Sequence, residues 1–141
     1  MLPGRVGIDL VPFARVSRLL TPEAEPVLPR MLSQEELGLC VTRTGPDIPG
    51  IAGRLAAKEA VFKLFHAAGQ PMPWLGIEIL KENGGRPVVR LSGRAARLAR
   101  DARVGHIEVS IAHDDPFAVA VAFCDTATER EAHPLESAYN D

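Results

Sequence analysis

Over its first dozen residues the chain alternates, with Val6, Ile8 and Leu10 on one side and Gly7 and Asp9 on the other. That period of two predicts a half-buried strand, and Pro12 then stops it and opens a helix over "PFARVSRLL". Asp9 is thereby expected where strand hands over to helix. Three prolines break "TPEAEPVLPRM", a loop with at most short helical pieces. Ser33 and Glu36 form a capping-box pattern that opens a short helix in "SQEELGLCVTR", and "TGPDIPG" reads as a mobile loop of turn residues.

From Ile51 to Ala68 the pattern becomes helical, with Gly69 and Pro71 ending it. At about 100° per residue, Ile51, Leu55, Val61, Phe62 and Phe65 make one apolar stripe, beside a small-residue face of Ala52, Ala56, Ala60 and Ala67. The strand "LGIEILK", the turn "ENGGRP" and the strand "VVRL" predict a hairpin, "SGRAARLARDAR" a short arginine-faced helix, and "HIEVSIAH", "DDP" and "FAVAVAF" a second hairpin. In that second hairpin Ile107, Val109, Ile111, Phe117, Val119, Val121 and Phe123 are assigned to one bulky face. Ser110, Ala112, Ala118, Ala120 and Ala122 are assigned to the other. Helices are expected to cover the bulky face, leaving the alanine face open to water or to another subunit. Strands and helices mix without a βαβ rhythm, so the fold class is α+β with a small antiparallel sheet packed on a long helix.

Composition narrows the function. The 141 residues fit one domain with its own core, and the net charge of −2 is unlike a protein that binds nucleic acid through bulk phosphate attraction. Five acids against one arginine after residue 124 mark an acidic tail, 125–141, expected to be disordered, behind a folded domain over 1–124. Cys40 and Cys124 have no ligand spacing, no zinc site is suggested, and no stretch approaches the ~18 apolar residues of a membrane span. A soluble, cytoplasmic protein with reduced thiols is expected. Arg5, Arg15 and Arg18 form a small basic patch near the start, with Asp9 as the acid among them.

The chemistry concentrates in "RLAAKEAVFKLF". Glu59 and Lys63 are one turn apart, and the plainer account is an i,i+4 ion pair worth a few tenths of a kcal/mol, with Lys58 extending its ammonium to water. Asp9 and Glu59, two carboxylates from separate segments, also suit Mg²⁺, which favours oxygen ligands and keeps several waters. Arg54, Lys58 and Lys63 would then face phosphate, with His113 as a further donor at the mouth of the "HDDP" connection.

"VGIDLVPFARV", "AGRLAAKEAVFKLF", "GIEILKENGGRPVVRLSG" and "HIEVSIAHDDPFAVAVAF", in this order over roughly residues 5–123, resemble the short, single-domain 4'-phosphopantetheinyl transferases of the holo-[acyl-carrier-protein] synthase type. The first two blocks are similar to that family's GIDIV and GRFAAKEAxxKA signatures, and the last to its SxSH strand. The resemblance implies transfer of phosphopantetheine from coenzyme A to a serine of an apo acyl carrier protein. It further implies Asp9 and Glu59 as magnesium ligands and Lys63 near the reacting phosphate. Arg54 and His113 would meet the 3'-phosphate of coenzyme A, with Lys58 and Ser110 also on the coenzyme side and Arg15 and Arg18 toward the carrier. It implies a cyclic homotrimer too, with Asp9 and Glu59 from one chain and His113 from its neighbour. The sequence departs from the pattern at Leu55, at Ala112 and over residues 32–50. Two other readings keep the same residues: a hydrolase of coenzyme A or nucleotide pyrophosphates, and a non-catalytic module that binds coenzyme A or a carrier.

Overall fold

Helix α3, Ile48–Leu64, forms the axis around which a computed structural model describing residues 4–127 is built. Its alanines and leucines favour helix intrinsically, Pro49 sits in the first turn where its missing N–H costs nothing, and the Asp47 carboxylate accepts from the Gly50 N–H at 3.0 Å. The helix starts three residues earlier than the pattern predicts and ends at Leu64, short of the expected Ala68, with Phe65 as its C-cap and His66 at a left-handed φ of 51°. "TGPDIPG" is no loose loop. Gly45–Pro46 (β3) pairs with Val41–Thr42 (β2), and Asp47 then caps α3.

Beneath α3 lies a three-stranded antiparallel sheet in the order β1 (Gly4–Pro12), β7 (Phe117–Thr126), β6 (Val104–Asp114). Gly7 is required by the approach of the helix, because a Cβ there would collide with the Ala60 carbonyl oxygen. At the other edge Gly53 of α3 lies against Ile111 of β6, so the helix crosses the sheet diagonally. Arg5 ties the layers at one end by donating to the Leu64 carbonyl at 3.0 Å.

The register corrects the expected faces. Asp9 pairs with Ala120, Val11 with Ala118, Val109 with Ala122, and Ile111 with Ala120, so these residues share the inner face under α3. Ala118, Ala120 and Ala122 are fully buried, while Val6 is 68% exposed, Ile8 56% and Phe123 49%. The alanine face is therefore the covered one and the bulky face of β1 and β7 the open one. Small side chains let the helix backbone come close, and alternation between two apolar faces carries no sign of which is inside.

On the far side of α3 sit α2 (Gln34–Leu39) and the hairpin of β4 (Ile77–Lys81) and β5 (Pro87–Leu91). Both halves of the Ser33/Glu36 capping box form. Helix α1 (Phe13–Leu19) follows β1 directly, and α4 (Gly93–Asp101) joins the two hairpins. Strand β7 continues to Thr126, past the expected domain end at 124; the remaining tail, 128–141, lies outside the described residues. Among the described residues no helix is long and apolar enough to cross a membrane.

Candidate functional site

Asp9 sits mid-strand in β1, three residues before its end, rather than at the junction with α1. Its position on the inner face turns the carboxylate toward α3. Oδ1 lies 3.6 Å from Lys63 Nζ, and Oδ2 is buried with no hydrogen-bond partner among the described residues. The Lys63 ammonium also donates to the Ile8 carbonyl at 2.6 Å, which fixes it beside Asp9. Glu59, one turn back on α3, is pushed up to about 7 by burial and then by the neighbouring Asp9 carboxyl, with Arg15 and Lys63 pulling the other way. The structure thus gathers Asp9, Glu59, Lys63 and Arg15. Arg18 lies exposed a turn further along α1.

Two crowded carboxyls from separate elements, one with a buried oxygen that has no hydrogen-bond partner among the described residues, offer oxygen donors to a cation beside Lys63. That donor set fits Mg²⁺.

A second group of residues lines a cleft of ≈ 500 Å³ between α3, β4 and β6, with Arg54, Lys81, Arg86, Ser110 and His113 on its walls. Arg54 is only 6% exposed; its Nε donates to the Ile79 carbonyl at 3.1 Å and its Nη1 to Cys40 Sγ at 3.5 Å. His113 is exposed, and its ring packs at 58° to that of Phe13 with centroids 6.4 Å apart. Ser110 pairs with Val121 and His113 with Ala118, so the Ser110 side chain stands on the opposite face of β6 from His113. Lys81 and Arg86 flank the β4–β5 turn and escaped the sequence reading, because nothing local signals that this turn reaches the His113 strand.

Lys58 requires correction. Its side chain is fully buried, with Nζ 2.6 Å from Glu36 Oε1 and 2.7 Å from the Trp74 carbonyl. It neither extends to water nor faces the cleft. One residue along a helix turns the side chain by about 100°, which points Glu59 to the open side and Lys58 under α2.

Neither Asp9 nor Glu59 lines the cleft. Within one chain α3 passes between the two groups, with Ala60 over Gly7 on the carboxylate side and Gly53 against Ile111 on the cleft side. The first group has the chemistry of a cation site, and the second that of a polyanion site.

Residues 5–124 match the sequence model of the 4'-phosphopantetheinyl transferase superfamily. The chain is 38% identical over 125 residues to a holo-[acyl-carrier-protein] synthase of Moorella thermoacetica, covering 89% of this chain and 96% of that protein. Its fold resembles the crystal structure of Helicobacter pylori holo-[acyl-carrier-protein] synthase in complex with coenzyme A, with TM-score 0.72 and 30% identity over 86% of this chain and all (100%) of the other. The Chronobacterium ammoniagenes ACPS–CoA complex is similar with TM-score 0.72 and 29% identity, over 89% of this chain and 99% of the other.

Proposed function

The chain belongs to the 4'-phosphopantetheinyl transferase superfamily, and on that premise we propose that it moves the 4'-phosphopantetheine group of coenzyme A onto a serine of an apo acyl carrier protein, leaving adenosine 3',5'-bisphosphate. The observation that carries this reading is the Asp9–Glu59 pair, whose orphaned oxygen and raised carboxyl call for a divalent cation beside Lys63. Phosphoryl transfer depends chiefly on positioning and charge neutralisation, and Mg²⁺ held by Asp9 and Glu59 would neutralise pyrophosphate oxygens. Lys63, tethered to the Ile8 carbonyl, presents a fixed positive charge to the reacting phosphate. The serine proton needs an acceptor, for which the candidates are the Glu59 carboxylate and a water held at the cation site. Arg54 and His113, joined by Lys81 and Arg86, receive the 3'-phosphate end of coenzyme A, and Ser110 borders the same cleft. Arg15 and Arg18 face the acidic surface of the carrier.

The separation of the two groups favours sites completed between chains. The open sheet face, with Val6, Ile8, Leu10, Phe117, Val121 and Phe123 exposed, is the surface on which a second copy would pack. We assign a homotrimer, in which the carboxylates of one chain meet the His113 cleft of the next, and a cytoplasmic location, where buried Cys40 and Cys124 stay reduced.

The test incubates the protein with coenzyme A, Mg²⁺ and apo acyl carrier protein and reads the intact mass of the carrier. A phosphopantetheine-sized gain on serine is the expected result. Release of phosphopantetheine without carrier modification would instead identify a hydrolase, and binding without turnover a non-catalytic module.

A further inference from the structure

Arg54 is a nearly buried guanidinium without a carboxylate partner among the described residues. Two of its nitrogens rest on neutral acceptors, and the side chain lines the cleft. Its aim therefore depends on whatever holds those two acceptors. Ile79 gives its carbonyl to Arg54 and its N–H to Glu36 Oε2 at 2.9 Å. The other oxygen of the same fully buried carboxylate takes the Ser33 N–H at 3.0 Å and Lys58 Nζ at 2.6 Å. The second acceptor, Cys40, ends the same short helix as its C-cap.

We infer that α2 is the seat of Arg54. Glu36, acting through Ile79, and Cys40, acting directly, are positioning residues that aim this guanidinium at the 3'-phosphate of coenzyme A. Glu36 locks β4 to α3 by holding Ile79 and Lys58 on one carboxylate, so β4 cannot shift along the helix without breaking a buried ion pair. Cys40 Sγ, a weak acceptor, restrains the second arm of the fork. The capping box thus serves two purposes: it starts α2, and its glutamate continues past the helix into the binding apparatus.

This inference rests on the reading of Arg54 as a phosphate contact. The readout is the ratio of KM for 3'-dephospho-coenzyme A to KM for coenzyme A, which does not depend on the fraction of protein folded. Removing Glu36 alone would strand a buried lysine charge and risk unfolding, so the variant is the double substitution Glu36→Leu with Lys58→Met, which leaves no stranded charge. Its ratio should fall by about tenfold, toward that of Arg54→Gln, and adding the double substitution to Arg54→Gln should lower it no further. Cys40→Ala should cost about two- to threefold and Cys40→Ser, which keeps an acceptor, should restore the ratio. A wild-type ratio in the double variant, or a further loss on top of Arg54→Gln, overturns the seating role while leaving Arg54 as a phosphate contact. An unchanged ratio in Arg54→Gln itself overturns both that reading and the role of α2.

Discussion

Lys58 and Glu59 are neighbours on α3 yet point about 100° apart, into different surroundings. The lysine is sealed against Glu36 and the Trp74 carbonyl, and the glutamate is turned toward Asp9 and Lys63. A single helix thereby carries a buried ion and a partly enclosed carboxyl at the candidate site in consecutive positions. The first fixes the rotation of the helix, and that rotation sets where the second points.

Asp9→Ala and Glu59→Ala should each lower kcat for carrier modification by at least about a hundredfold while circular dichroism stays that of the wild type. Each removes one of two carboxylates from the proposed cation site without opening the core, since Asp9 and Glu59 are only partly enclosed. Retention of more than a tenth of wild-type kcat, with an unchanged Mg²⁺ optimum, would contradict the assignment.

Glu59 also predicts how stability depends on pH. Burial and then Asp9 hold its carboxyl near 7 in the folded protein, against 4.5 ordinarily. Between those values the folded state keeps a proton that the unfolded chain has released, so stability falls as pH rises through the window and levels off above it. Without Mg²⁺, the Tm should therefore decline from about pH 5 to about pH 7.5, and Glu59→Gln should flatten that slope. Added Mg²⁺ should stabilise little near pH 5 and most above pH 7, because cation and proton compete for the same oxygens. A Tm that rises with pH in the wild type but not in Glu59→Gln would refute the direction.

Periodicity made the order of elements legible: the β1–α1 unit, the capped α2, the long helix and both hairpins all follow from local spacing. The choice of face did not, because Val6, Ile8 and Leu10 alternate as regularly outside as they would inside. Only Gly7 hinted that the helix lies on its side, through the close approach that glycine permits. At the site, Asp9, Glu59, Lys63, Arg54 and His113 were legible as chemistry. Which of them meet in one chain depends on the diagonal path of α3, which no local pattern encodes. The burial of Lys58 is not legible locally, because an ion within an apolar stripe reads equally as extended to water or paired, and its partner Glu36 lies 22 residues away.

Arg15 lies close enough to Glu59 to pull its titration down, yet its own side chain is exposed on α1. It therefore stands between the cation site and the surface a carrier would approach. Arg15→Glu should raise KM for the carrier by about tenfold and leave KM for coenzyme A within about twofold, and added salt should weaken wild-type carrier binding in the same way. A carrier KM independent of ionic strength would assign docking to apolar contacts instead.

The open sheet face leads to the last prediction. Ile8 and Val121 pair across β1 and β7, and Val6 pairs with Phe123, so four large apolar side chains form one exposed surface backed by the fully buried Ala120 and Ala122. Such a surface on a small protein is costly to leave in water and is where a second copy would be buried. Light scattering should give a trimer at micromolar concentration, and Ile8→Glu should dissociate it with loss of activity, because the His113 cleft then has no neighbouring carboxylates. A fully active monomer would refute shared sites. The sharper measurement mixes Glu59→Ala with His113→Ala chains after partial denaturation and reassembly, assayed at a coenzyme A concentration too low for His113→Ala alone to turn over. If each site draws Glu59 from one chain and His113 from the next, some junctions pair two intact halves and activity returns. If each chain holds a complete site, every chain in the mixture carries one defect and no activity can return.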